Sequence, residues 1–380
     1  MLPIVQINLQ RNYGGGETYT RSIIRALFEL GRNLHLITHP KADFWSQLDL
    51  PLSIVIKPLN DAKSLILFLN GFNDKGILLS HGPLKQELID AARSCGWKIM
   101  AICHMPPQGR RSDEFNDHQL VFGVSDYVID GLRKNNVNTW PTALLGTADL
   151  TPRGPSNGSL KKASEYLWDT KKARDVVLGY FNNWFEFLRK RTIFIKKPGI
   201  TLGIFSRITP IKQFPLLFSI LAPIISKYPN VNLEIFGAGG YASIRDFKRS
   251  LAPCKHQVRF WGAQMDPALV FRNLDFLMAG LPEKEALGLN VIEAQFLNVP
   301  VLAVRAPPFT QTILGNKTGF FFKDPREDCG EEFHELLVEI LSGSSLKLEP
   351  VKHPEHLELF SFQNFKMRLS LTPLLRGDIP

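Results

Sequence analysis

Two glutamates eight positions apart, Glu285 and Glu293, carry the strongest chemical signal of the chain, in the run LPEKEALGLNVIEAQFLNVPVL. The run predicts a strand over 275–278, a glycine-containing loop, and a helix over 289–297. Glu293 falls one turn into that helix, where its carboxylate can face a cleft. The amides of Leu287, Gly288, Leu289 and Asn290 fall at the helix N-terminus, where unpaired N–H groups suit a pyrophosphate. Arg207 and Lys212 form a second set, after the buried strand of GIFSRITPIKQF and ahead of a helix, the place where ligands bind in open α/β sheets. His104 ends the apolar run of AICHMP, and His81 ends that of LLSHGP. Gly14, Gly15 and Gly16 follow the first apolar run, with Glu17 placed to help cap a helix. Gly237-x-Gly239-x-x-Ala242 follows another and fits the dinucleotide-binding fingerprint.

The elements that must position these residues alternate along the chain. Strand-like runs at 4–9, 34–38, 53–56, 76–80, 98–103 and 119–124 are interleaved with helices at 18–30 and 126–134, and a further buried strand is expected at 144–145. Alternation of this kind implies parallel sheet with crossover helices. It breaks at TPRGPSNGS, where Pro, Gly and Ser cluster as in linkers. It resumes with strands at 201–205, 232–236, 258–261, 275–278 and 301–303 and helices at 214–227, 242–251, 267–273 and 289–297. The expected fold class is therefore α/β, with two Rossmann-like doubly wound domains. The first spans 1–150, a basic and aromatic-rich insert spans 151–198, and the second domain spans 199–359. The closing stretch 360–380 looks helical and is expected to rejoin the first domain.

Composition narrows the partners. A formal charge of +9 over 380 residues points to an anionic partner. Residues 151–200 hold eleven Lys/Arg against four Asp/Glu, so most of the excess lies in one segment. Within it, Leu178, Phe181, Trp184, Phe185 and Leu188 fall near helical spacing ahead of Arg189, Lys190 and Arg191. A helix of this kind lies on an anionic membrane or covers an apolar seam between domains. Concentration of the charge in one segment, with no recognisable nucleic-acid motif, argues against a nucleic-acid binder. Cys95, Cys103, Cys254 and Cys329 show no Cys-x-x-Cys pairing, which fits a reducing cytoplasm. No apolar stretch reaches the ~20 residues of a bilayer span, and the N-terminus reads as a first strand.

Taken together, these motifs resemble glycosyltransferase family 4, retaining enzymes of GT-B fold with an E-x7-E signature. GIFSRITPIKQF is similar to the family's Gly-Arg-x4-Lys segment, LEIFGAGGY to its strand and Gly-x-Gly turn, and VRFWGAQ to the strand near the nucleobase. Gly14–Glu17, AICHMP and VSDYVIDGL resemble its N-terminal glycine loop, cleft histidine strand and Val-Ser helix. The resemblance implies two domains facing across a cleft and a nucleotide-diphosphate sugar as donor. It implies that Arg207 and Lys212 clamp the diphosphate, Glu293 the ribose and Glu285 the transferred sugar. Gly15, Gly16 and Gly288 would allow close backbone approach, with Gly237 in the nucleotide-binding set. His104 would position a hydroxyl near the reacting sugar. Two cations in place of a metal, and no Asp-x-Asp triplet, imply metal-independent transfer with no cofactor. The acceptor would be a glycan or lipid-linked hydroxyl in surface polysaccharide assembly, with peripheral contact to the inner membrane face.

Departures from the family pattern occur at Glu285-Ala-Leu-Gly and at the Gly-Ile-Phe-Ser-Arg opening, and they leave the donor sugar open. Two other readings stand beside the transferase. An NAD(P)-binding oxidoreductase would use Gly237 and Gly239, yet the strand at 258–261 ends without the acidic residue that the fingerprint wants. A binding protein that kept the fold and lost turnover would not need Glu285, Glu293, Arg207, Lys212 and His104 together.

Overall fold

The computed structural model describes residues 2–106, 112–151, 158–167, 192–343 and 347–376. The chain divides into two compact units, Met1–Asp149 with Glu358–Pro380, and Leu150–Leu357.

The first unit is built on six strands: β1 (Ile4–Asn8), β2 (His35–Thr38), β3 (Val55–Pro58), β4 (Ile77–Ser80), β5 (Lys98–Cys103) and β6 (Leu120–Gly123). All their pairings are parallel, in the order β3-β2-β1-β4-β5-β6. Parallel strands buried on both faces read as continuous apolar runs, which is why IVQIN, ILLS and KIMAIC stand out in the sequence. Helices α1 (Gly15–Glu29), α2 (Ala62–Asn70) and α3 (Gln86–Ser94) make crossovers, and α4 (Asp126–Arg133) follows the last strand. Ser125 caps α4 by accepting from the Val128 amide. Chain order reverses between β1 and β4, so the carboxyl ends of those two strands flank the point where such sheets bind ligands.

The second unit repeats the plan with β7 (Ile200–Phe205), β8 (Val231–Phe236), β9 (Val258–Gly262), β10 (Phe276–Met278), β11 (Val301–Val304) and β12 (Gly319–Phe322). The order β12-β11-β10-β7-β8-β9 again reverses at a single point, between β10 and β7. Helices α5 (Phe214–Ile225), α6 (Tyr241–Ser250), α7 (Pro267–Phe271), α8 (Leu289–Phe296) and α9 (Glu331–Ser342) cover the sheet. Register places Phe276 beside Leu202 and Leu277 beside Gly203. A Cβ at Gly203 would come within 2.2 Å of the Leu274 side chain, so glycine is what lets that leucine seat under the sheet. Glu234 on β8 is fully buried and is held by Arg259 Nε at 2.7 Å and by Trp261 Nε1 at 2.6 Å.

A helix near the end of the chain, α10 (Phe362–Ser370), belongs to the first unit, where Phe365 meets the edge of Tyr19 and Lys366 pairs with Glu29 at 2.6 Å. No helix among the described residues is long and apolar enough to cross a membrane.

Two local expectations fail. The strand expected at 53–56 begins at Val55 and runs to Pro58, a residue that an edge strand tolerates because its missing N–H faces away from the ladder. Leu144 and Leu145 are buried, yet they form no strand. The Leu144 amide donates to the Gly123 carbonyl of β6 at 3.0 Å, but the Leu144 carbonyl is taken by the Tyr19 hydroxyl at 2.5 Å, so a side chain meets the other half of the demand and no ladder continues.

Candidate functional site

In the second unit the sequence-picked residues gather at the strand-order reversal. Arg207 lies two residues past the end of β7, and Lys212 ends the short turn Pro210–Lys212 that leads into α5. Glu285 lies in the loop after β10, and α8 starts just beyond it. Three contacts tie the two loops together. The Lys212 ammonium pairs with the Glu285 carboxylate. A Cβ at Gly280 would meet the Lys212 carbonyl at 2.9 Å, so the loop after β10 approaches the other with only a hydrogen between. The Asn290 amide donates to the Phe205 carbonyl at 3.0 Å, fastening the first turn of α8 to the end of β7.

Gly288 is the residue before α8, in a left-handed conformation with φ 82°. An L side chain is strained there, and a Cβ would also press on Phe309 and Val291 at 3.3 Å. The helix thus opens with the amides of Leu289 and Asn290, which an α-helix leaves without backbone partners of its own. Arg207 is exposed and makes no ion pair among the described residues. A free guanidinium two residues past a strand end that is fastened to a helix N-terminus suits a dianionic diphosphate. Glu293 differs from the open face expected of it: only 1% exposed, it lies within a helix whose residues Val291–Gln295 are all buried.

Gly237 has another explanation. A Cβ there would lie 1.8 Å from the Ser206 carbonyl, and one at Gly239 1.9 Å from that of Ile208. The Gly239 amide donates to the Glu165 carbonyl at 3.0 Å, and Leu167 donates to the Gly239 carbonyl at 2.8 Å. Neighbouring backbone on both sides therefore accounts for these glycines, and the Gly239 amide that the dinucleotide fingerprint would aim at phosphate is already engaged. The segment 160–167 that engages it also donates from Ala163 to the Trp261 carbonyl at 2.9 Å, and Lys248 pairs with Glu165.

In the first unit a buried polar cluster forms at the ends of β1, β4 and β5. His81 follows β4 and is 7% exposed; its Nδ1 lies 3.2 Å from His104 Nε2 and 2.9 Å from Thr20 Oγ1, and its Nε2 lies 3.0 Å from Gln6 Oε1. The two imidazole rings stack at 10° with centroids 5.4 Å apart. Asn8 donates to Thr20 Oγ1 at 2.9 Å and to Glu17 Oε1 at 3.3 Å. Burial lowers the His104 pKa to about 4, and burial together with the neighbouring His104 holds His81 well below the ordinary histidine range, so both rings are neutral near pH 7. Gly15 and Gly16 form the first turn of α1, and a Cβ at Gly16 would touch the His104 ring at 3.8 Å.

The sequence picked out His104 and His81 separately, but not their contact, nor the parts played by Gln6, Asn8, Thr20 and Asn290. Polar residues on a buried strand, Gln6 and Asn8 in IVQIN, were the available signal for the first three. The aromatic run at 178–188 and Arg189, Lys190 and Arg191 lie outside the described residues.

Residues 186–350 match the protein family described as "Glycosyl transferases group 1", which is less than half of the chain. No curated protein matches by sequence. Among solved structures, Anabaena HepE in complex with UDP and glucose superposes with a TM-score of 0.68 at 12% identity, covering 97% of this chain and 98% of that one. Sucrose-phosphate synthase from Thermosynechococcus elongatus gives 0.68 at 13% identity over 99% of both chains. The apo form of the lipopolysaccharide outer core galactosyltransferase WaaB gives 0.65 at 12%, again over 99% of both. At such identities the likeness establishes a shared two-domain α/β fold.

Proposed function

We propose that this protein is a retaining glycosyltransferase of GT-B type, of the E-x7-E family 4, that moves a sugar from a nucleotide-diphosphate donor to a hydroxyl acceptor. The observation that carries the reading is the convergence of Arg207, Lys212, Glu285 and the α8 N-terminus at the strand-order reversal of the second unit. Arg207 and the α8 amides hold the diphosphate, and Lys212 joins them as the donor sugar takes over its partner Glu285. Glu293, buried in the free protein, takes the ribose hydroxyls as its carboxylate is uncovered on binding. The bond from the anomeric carbon to the diphosphate oxygen breaks, and a bond to the acceptor oxygen forms on the same face. The acceptor proton passes to the departing diphosphate, whose charge the two cations offset without a metal. His104 positions a hydroxyl. The match of residues 186–350 to a glycosyl transferase family supports the reading, as do UDP and glucose in the HepE structure.

The acceptor we propose is a glycan or lipid-linked hydroxyl in surface polysaccharide assembly, a reading to which the lipopolysaccharide role printed for WaaB adds support. Four free cysteines, three of them buried, fit a reducing cytoplasm. The basic segment would bring the protein to an anionic membrane face.

The test is a thermal-shift screen against UDP, GDP, ADP, CMP, NAD and common nucleotide sugars, since a ligand of the native state raises the melting temperature. One nucleoside diphosphate and its sugar should stabilise the chain, and NMR of the product should show the donor's anomeric configuration kept. EDTA should leave turnover unchanged. A shift with NAD alone would sink the transferase reading.

A further inference from the structure

We infer that His81 is a positioning residue that holds His104 with its proton on Nε2, so that the bare Nδ1 lone pair of His104 is the atom offered to a ligand hydroxyl. The inference rests on the transferase reading only in identifying that hydroxyl as one of a carbohydrate; the proton assignment stands on the hydrogen bonds alone.

Gln6 Oε1 lies 3.0 Å from His81 Nε2, and an amide oxygen can only accept, so His81 carries its proton on Nε2. A neutral imidazole has one N–H, which makes His81 Nδ1 an acceptor. Its two neighbours are Thr20 Oγ1 at 2.9 Å and His104 Nε2 at 3.2 Å. The Thr20 hydroxyl has the Gly16 carbonyl to donate to, also at 2.9 Å, while its oxygen accepts from Asn8 Nδ2. Asn8 is itself oriented, because its Oδ1 accepts from the Gln10 amide at 3.1 Å. The proton between the two histidines therefore belongs to His104 Nε2.

His104 is then an acceptor at Nδ1. That nitrogen makes no hydrogen bond among the described residues, and His104 is half-buried where His81 is buried. The edge of Tyr19, with ring centroids 4.9 Å apart, and the missing side chain of Gly16 fix the ring plane from the α1 side. A hydroxyl bound there donates to His104 and leaves its own lone pairs for other partners. A carbonyl or phosphate oxygen, which cannot donate, is refused. The strand order brings the two histidines together, because β4 and β5 are neighbours and each ends one residue before its histidine.

The experiment is imidazole 15N NMR on the full chain labelled at histidine, with His104 assigned by loss of its signals in His104→Gln. Near pH 7 the wild type should show His104 protonated at Nε2 and bare at Nδ1; a proton on Nδ1 overturns the inference. In His81→Leu the His104 signals should move toward a mixture of tautomers. Sugar transfer should then fall about 10- to 100-fold in kcat, the range in which orienting partners of histidine act, with donor KM within about twofold. A His104 tautomer unchanged in His81→Leu would remove His81 from the role. Gln6→Leu, which leaves both histidines in place, should release the His81 proton and mix the tautomers even if His81→Leu fails to fold; an unchanged His104 there overturns the relay. Wild-type protein that shows the Nε2 proton but transfers no sugar would sink the proposed function and leave this inference standing.

Discussion

Arg207 and Lys212 show how far a residue's type predicts its work. Their place after a buried strand and ahead of a helix was legible, yet the structure separates them: Arg207 is exposed and unpaired among the described residues, while Lys212 meets Glu285. That pairing joins positions 73 residues apart, and the Asn290 to Phe205 bond spans 85, distances no local pattern encodes. Arg207→Ala should cut transfer about 100- to 1000-fold, as loss of one charge-stabilising group does, with an unchanged melting temperature because the side chain is exposed. Steady-state kinetics beside a thermal melt check both halves. Glu293 is a harder case because its burial was not legible. Glu293→Ala would open a cavity, so Glu293→Gln is the informative change. It should weaken nucleoside diphosphate binding by about tenfold in calorimetry while the circular dichroism stays native, since the amide keeps the volume and alters the charge.

The elements were read with most success where a strand is buried on both faces. Runs such as TLGIF and VLAV lie in the middle of the second sheet and could hardly be anything else. Edges and ends were read worst: β3 slipped by two residues, and the run at 144–145 makes one bond to Gly123 of β6 while Tyr19 takes the Leu144 carbonyl, so no strand forms. The fit between loops was not legible at all, because Gly280 looks like any loop glycine until its 2.9 Å clearance from the Lys212 carbonyl is seen. Gly280→Val should force the loops after β7 and β10 apart, lowering stability by about 1–3 kcal/mol in denaturant unfolding. Nucleotide affinity should fall with it. Equal nucleotide binding in the valine variant would show that the two loops move independently.

At the scale of the whole molecule, burial of histidine sets a pH dependence. His104 and His118 titrate at about 4, and His81 is lowered well below 6.5, in each case chiefly through desolvation. The unfolded chain takes up protons near pH 6.5 while the folded chain does not, so their stability contribution is complete above 6.5 and is lost as pH falls toward 4. For His104 and His118 the loss should be on the order of 2 kcal/mol each at the lower end, with His81 adding in the same direction, read as a falling melting temperature between pH 6.5 and 4. His118→Gln should flatten the curve. The two-unit plan was legible from the break in alternation, but the contacts of the segment that follows the break were not. Phe194 donates to the Leu160 carbonyl and Lys162 to that of Thr192, both at 2.9 Å, while Leu167 is bound to Gly239. The described chain is therefore fastened within the second unit at Leu167 and again at Thr192 and Phe194, beside its own starting point. With both anchors held by backbone hydrogen bonds, a short Gly-Ser bridge joining Leu167 to Thr192 closes a smaller loop at little entropic cost and should leave the melting temperature of the second unit intact. A stretch taken from another protein could then be joined at the same two anchors without rebuilding the second sheet.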